Sequence, residues 1–261
     1  MTEDIRDYNR RAWNHQVDVG NRWSVPVDGE VIAAAKRGEW SVLLTPMLPV
    51  PRAWFPESMK GLKVLGLASA GGQQCAIFAA AGAEVTVFDN APKQLAQDAA
   101  VAVREGLQIH TVEGDMRDLS VFADERFDLV FHPVSNCFVP DVRPVWREAA
   151  RVLRPGGALL SGFINPLFFI FDDLALERSE YVVRYRVPFD DREQLDPGRL
   201  EALIADQEPI CFGHTLDDLI GGQLDAGLTV TGFFEDRWGG RPIDDRIANF
   251  IATRAVKPSH P

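Results

Sequence analysis

The chain has 261 residues, 46% of them hydrophobic, with 38 acidic against 27 basic residues and a formal net charge of −11. That is enough apolar material for one buried core with insertions, or a core with a small cap. The acidic balance and the lack of any Lys/Arg-rich run exclude the usual footprint of a phosphate-polymer binder, so no nucleic-acid partner is expected.

The cysteines (Cys75, Cys137, Cys211) are scattered and odd in number, with no C-x-x-C pair, and the five histidines show no ligand spacing with them. A reducing compartment is expected, and no metal site. The opening M-T-E-D-I-R-D-Y-N-R-R-A-W is too polar for a signal peptide. No apolar run approaches the ~18 residues of a membrane span. A cytoplasmic protein with no membrane partner is the expectation.

In chain order, Asp4 to Val17 reads as an irregular amphipathic helix in which Tyr8 and Trp13 sit among Arg, Asn and His, with Trp23 following. Residues 1–60 form either a helical lid over a site or an outer layer on the core. Asp28 to Gly38 reads as a short helix, and Pro46, Pro49, Pro51 and Pro56 then rule out long regular structure. The stretch Lys63 to Asp89 follows. An apolar strand (Val64 to Leu67) ends in a small-residue loop (Ala68 to Gly72). A helix-like run stops at Gly82, and a second strand (Val85 to Phe88) ends on Asp89. Small residues let backbone approach a ligand, and a strand-end acid can accept hydrogen bonds from ribose hydroxyls. The unit reads as a nucleoside-cofactor site. Gly66-Leu67-Ala68-Ser69-Ala70-Gly71 fails the G-x-G-x-x-G of a dinucleotide fold at its second position, which suits a cofactor with ribose and adenine but no pyrophosphate.

The same pattern repeats downstream. Glu105-Gly106 leads into the strand Gln108 to Val112, Pro155-Gly156-Gly157 into Ala158 to Phe163, and Ala226-Gly227 into Leu228 to Phe233. Glycine after each helix suits the left-handed position there. Strands alternating with helices predict parallel pairing in an α/β layered sandwich. Leu129 to Phe131 supplies another strand, Val142 to Leu153 a helix, and Ile247 to Ala255 a last strand. Residues 166–211 interrupt the rhythm. Tyr181 to Phe189 alternates as a strand does, so a helix plus a β-excursion is expected there. Thr215-Leu216-Asp217-Asp218 fits a capping box opening a helix to Ala226.

These motifs resemble the class I S-adenosylmethionine-dependent methyltransferases. The family's first motif is hydrophobic–Asp/Glu–x–Gly–x–Gly–x–Gly; here Gly66 stands at the acidic position, and Ala68, Ala70 and Gly72 at the three glycines. V-F-D-N-A-P-K-Q-L-A resembles the family's second motif, T-V-E-G-D-M-R-D-L its third, and R-V-L-R-P-G-G-A-L-L-S-G-F the entry to its fifth strand. The resemblance covers Leu62 to Gly162 well and the C-terminal part more loosely. It implies a Rossmann-like three-layer sandwich with a mostly parallel seven-stranded sheet and an antiparallel last strand. It also implies a core over 61–165, an inserted cap over 166–211, and a C-terminal core part over 212–261. An edge addition making a homodimer contact is the other reading of 166–211.

The resemblance further implies that S-adenosylmethionine is the cofactor, leaving as S-adenosylhomocysteine. Gly66, Ala68, Ser69 and Gly72 would line it. Asp89 would bind the ribose, although a cap for the next helix is the other reading, with Asn90 beside the adenine and Gln94 reaching the ribose. Asp115 would accept from the adenine amino group, or be only a turn residue, and Met116 would offer its amide. The strand end F-D-L-V-F-H-P-V-S-N-C-F would face the reacting methyl group. Its neutral-range pKa makes His132 the first candidate base, ahead of His15 and His214, and His132 could also line the cofactor. Each of these histidines could instead be structural. Tyr8, Trp13, Trp23 and Asn136 are substrate-pocket candidates. The expected reaction is methyl transfer to a small-molecule O, N or S nucleophile. A non-catalytic cofactor-binding protein and a nicotinamide-dependent oxidoreductase are the alternatives.

Overall fold

Two helices precede the sheet: α1 (Ile5–Asp18), whose N-cap Asp4 accepts from the Arg6 amide, and α2 (Gly29–Lys36), capped by Asp28. The computed structural model describes residues 4–259; the first three residues of the 1–60 segment and the last two of the tail lie outside the described residues. Strand β1 (Lys63–Leu67) is buried from Val64 onward on both faces, as a central parallel strand must be. Helix α3 (Gln74–Ala80), β2 (Glu84–Asp89), α4 (Pro92–Glu105) and β3 (Ile109–Glu113) complete the first half. Helix α4 closes on Gly106 at φ 66°, the left-handed cap that glycine adopts without penalty. The second half adds β4 (Phe127–His132), α5 (Arg143–Val152) and β5 (Leu153–Ile164).

Between β5 and the end of the sheet lie α6 (Asp173–Glu177), β6 (Phe189–Asp190), α7 (Asp191–Gln194), α8 (Pro197–Ala205) and β7 (Phe212–Gly213). A π-helical turn (Asp217–Gly221) runs into α9 (Gly222–Asp225), and β8 (Thr229–Asp236) and β9 (Phe250–Val256) close the chain. The strand order is β3-β2-β1-β4-β5-β9-β8. The first five are parallel, and β9 inserts antiparallel between β5 and β8. This is the predicted sheet, last strand included.

Alternate residues along each strand feed two cores. Leu65, Leu67, Val130, Leu159 and Phe163 pack with Trp146 and Val145 of α5 on one face. Val64, Val87, Leu129, Phe131 and Leu160 pack with Phe78 and Cys75 of α3 and with Leu44 and Phe55 on the other. Each fully buried large side chain contributes about 1.5–3 kcal/mol. Gly162 permits the close approach of residue 44: a Cβ there would lie 2.2 Å from the Leu44 carbonyl oxygen.

The expected strand from Tyr181 to Phe189 is a correction. Only a single bridge, Val183 to Phe171, and the two-residue ladder of β6 with β7 form. The alternation finds no neighbouring strand: Val182 and Val183 stay exposed, and Pro188 brings no amide to a ladder. The rest of 166–211 is more helical than expected, with α6, α7 and α8 in place of one helix.

Candidate active site

A cavity of about 1060 Å³ opens at the carboxyl ends of the parallel strands, on both sides of the β1/β4 switch point. Open α/β sheets bind ligands there. Its floor is the loop after β1. Ala68, Ala70 and Gly72 have φ of 47°, 66° and 71°, so alternate residues are left-handed although two of them carry a Cβ. Gln94 of α4 accepts from the Gly71 amide at 2.8 Å and donates to Ser24 Oγ at 2.7 Å. Gln94 therefore clamps the loop from the cavity wall.

Asp89 lines the cavity at the tip of β2. Its Oδ1 accepts from the Ala91 amide at 2.8 Å. Burial pushes its carboxyl up to about 6, against the lowering effect of the Ala91 and Asn90 amides. Asn90 also lines the cavity, but its side chain exchanges hydrogen bonds with Arg6 of α1 at 3.0 and 2.9 Å. Further along, Asp115 and Met116 lie in the same wall. Burial alone would raise the Asp115 carboxyl, but the Arg117 guanidinium, 2.6 Å away, and the Arg117 amide hold it below the usual carboxylate value. Helix α1 crosses this end, tied also by Arg10 to Glu113 and by Asn14 to the Lys93 amide. Trp13 packs edge-on against Phe138 at 5.0 Å, and both Trp13 and Trp23 line the cavity.

Several predicted site residues stand elsewhere. Gly66 is beneath the loop: a Cβ there would lie 2.1 Å from Cys75 Sγ and 2.6 Å from Ser69 Oγ, so these two side chains fill the space an acid would need. Ser69 reaches the cavity wall, but its hydroxyl is fully buried against Cys75 Sγ at 3.2 Å. Gly72 faces Pro26 and Val101, away from the cavity. Tyr8 is buried among Ile210, Phe212 and Ala12, its hydroxyl donating to the Glu208 carbonyl. The Asn136 side chain donates to the Gly162 carbonyl at 2.8 Å, inside the protein.

The base assignment to His132 is also corrected. Its ring has no exposure, Nδ1–H donates to the Leu67 carbonyl at 2.8 Å, and the ring meets Trp146 edge-on. Burial pulls it down to about 4, so it is a neutral core residue. His214 is likewise buried, with Nε2 against the Asn136 carbonyl.

What sequence reading did not single out is the far wall. Tyr185, Phe189, Phe169, Phe168, Trp238 and Phe250 form a chain of ring contacts with centroids 4.6–6.4 Å apart. All six line the cavity, as does Asp191. The only sequence signal was the concentration of aromatics at 168–171 and at Trp238. Among the described residues, no group of three or more His, Cys, Asp or Glu is placed to hold a metal ion, and no helix is long and apolar enough to cross a membrane.

Residues 65–161 match the model of the methyltransferase domain family. The "Uncharacterized methyltransferase YbaJ" of Bacillus subtilis is 52% identical over 250 residues, which is 96% of this chain and 97% of that one. The chain belongs to the class I S-adenosylmethionine-dependent methyltransferases. More distantly, a ubiquinone biosynthesis O-methyltransferase of Bordetella avium is 29% identical over 141 residues, covering 52% of this methyltransferase and 57% of that protein. The fold is shared with an S-adenosylmethionine-dependent methyltransferase from Mesorhizobium loti (TM-score 0.59, 20% identity, 78% of this chain and 94% of that one). It is shared equally with one from Methanosarcina mazei (TM-score 0.57, 19% identity, 83% and 100%). Membership displaces the nicotinamide-dependent reading, and family and fold imply S-adenosylmethionine as the methyl donor.

Proposed function

We propose that the acceptor is a small molecule whose O, N or S nucleophile is methylated inside this cavity. The observation that carries the reading is one continuous cavity with two unlike ends: a polar end at the tips of β1 and β2, and an aromatic end under residues 166–211 and 238–250. The polar end fits the donor. Asp89 offers a carboxylate at a strand tip, Asp115 and Met116 lie one strand further out, and residues 68–70 of the loop line the same end. We assign the ribose to Asp89 and the adenine edge to Asp115, Met116 and Asn90. Bound S-adenosylmethionine supplies a methyl carbon that is already electrophilic. The protein's work is then to place the nucleophile and to keep water out. Helix α1 acts as a fixed roof over the adenosine end, and 166–211 acts as the cap over the acceptor. The small-molecule class is supported by this enclosure and by the O-methyltransferase relative.

The test is calorimetric titration with S-adenosylhomocysteine. Wild-type protein is expected to bind saturably, and Asp89→Asn to bind at least about tenfold more weakly, since an amide accepts less well from two hydroxyls. Affinity is also expected to rise as pH climbs through about 6, where Asp89 ionises. Equal affinity in the two proteins would remove the ribose assignment.

A further inference from the structure

Asp191 is the buried acid in the acceptor half of the cavity. It opens α7, is 6% exposed, and lines the cavity beside Phe189. One oxygen, Oδ2, is held by the Cys211 amide at 2.6 Å. The segment carrying that amide continues into β7, which packs against the turn 136–138 just after β4. The carboxylate is thereby anchored next to the loop after β4, whose Ser135, Cys137 and Phe138 line the cavity. Around it stand Asp190 at the end of β6, Asp173 of α6 with its ion-pair partner Arg199 of α8 at 2.6 Å, and the Cys211 thiol. The aromatic chain from Tyr185 to Phe250 forms the adjoining wall. Flat rings of this kind favour stacked or edge-on aromatic guests.

We infer that Asp191 is the catalytic base of this enzyme, and that it takes the proton of a hydroxyl carried on a flat aromatic acceptor. The inference rests on the methyl-transfer reading of the cavity. The hydroxyl proton passes to the Asp191 carboxylate. The freed oxygen pair bonds the methyl carbon as the carbon–sulfur bond breaks, and that bond's electrons remain on sulfur as a neutral thioether. Asp191 then returns its proton to solvent. Burial pushes the Asp191 carboxyl up to about 6, with Asp190 and Asp173 adding to the shift and the Cys211 amide opposing it. A base so placed is ionised at neutral pH yet basic enough to accept a phenolic proton.

The experiment uses para-nitrophenol, whose phenolate is coloured, bound to protein saturated with S-adenosylhomocysteine. Wild type is expected to hold the probe as the neutral phenol, hydrogen-bonded to Asp191, and to raise its apparent pKa above that of the free probe. Asp191→Asn keeps an oxygen for the Cys211 amide, and it is expected to make the bound probe at least about tenfold more acidic than in wild type. With S-adenosylmethionine and the same probe, the variant is expected to lose about a hundredfold or more in rate and the limb of the pH profile near 6. An unshifted probe pKa in wild type, or equal values in the two proteins, would overturn the proposal. So would failure of the loaded wild type to bind the probe at millimolar concentration. Calorimetry with S-adenosylhomocysteine, run alongside, separates this failure from loss of the donor site.

Discussion

His132 shows how burial decides what a residue does. A histidine at the carboxyl end of a central strand suggests acid–base chemistry because of its ordinary pKa. In the fold, Val130 and His132 face the α5 side, and the His132 ring is sealed between Leu67 and Trp146. Its Nε2 lacks a partner among the described residues, so protonation would bury a charge. The sign follows directly. The unfolded chain takes up a proton near the ordinary 6.5, and the folded ring only near 4. Stability from this group is complete above 6.5 and is lost as pH falls through 4, by roughly 3 kcal/mol in all. His132→Gln is expected to remove that part of the slope of unfolding free energy between these pH values. Denaturant titrations at stepped pH will show it; parallel slopes in the two proteins would mean that the ring titrates normally. Nothing local in the sequence distinguishes this buried histidine from an active one, whereas the place of Asp89 in the cavity wall was legible, because the carboxyl end of a parallel strand opens onto the switch point.

At the scale of the element, the loop from Ala68 to Gly72 keeps a backbone that its side chains oppose. The left-handed region costs a residue with a Cβ roughly 1 kcal/mol more than glycine. At Ala68 and Ala70 the surrounding bonds impose it: the Ala68 amide donates to the Phe88 carbonyl and the Gly71 amide to Gln94. Ala70→Gly is therefore expected to stabilise the folded protein by about 0.5–1 kcal/mol, with S-adenosylhomocysteine affinity unchanged within a factor of about two. Thermal melts and calorimetry check both parts, and a destabilised variant would mean that the methyl group packs usefully. Element type was readable here because strand, loop and helix each carry their own pattern. The segment 181–189 was not, because period-two alternation states what a strand could do and cannot supply the neighbour it needs.

The whole molecule is a sheet sandwiched between two cores, and that much was written in the repeated helix–glycine–strand pattern. Each of the four entries after Gly82, Gly106, Gly157 and Gly227 became a strand of the main sheet. The acceptor wall was illegible for the opposite reason. It joins residues 168–189 to 238 and 250, segments that share no motif and are far apart in the chain. A cavity bounded by so many separate segments couples ligand to fold. Saturation with S-adenosylhomocysteine at about a hundred times its dissociation constant is expected to stabilise the native state by about 2.7 kcal/mol. A melting temperature that stays constant while calorimetry reports binding would mean that the donor end can come apart without the rest.

The packing under Gly66 has a further consequence. Cys75 and Ser69 occupy the volume where the resembled family keeps its acid. An aspartate placed at 66 alone would collide with a sulfur and a hydroxyl. Trimming Cys75 or Ser69 alone would leave a void beneath the loop. Building the family's arrangement here one residue at a time therefore crosses at least one poorly packed intermediate, whichever change comes first. An acid at 66 is therefore expected to be tolerated only when Cys75 and Ser69 change together with it.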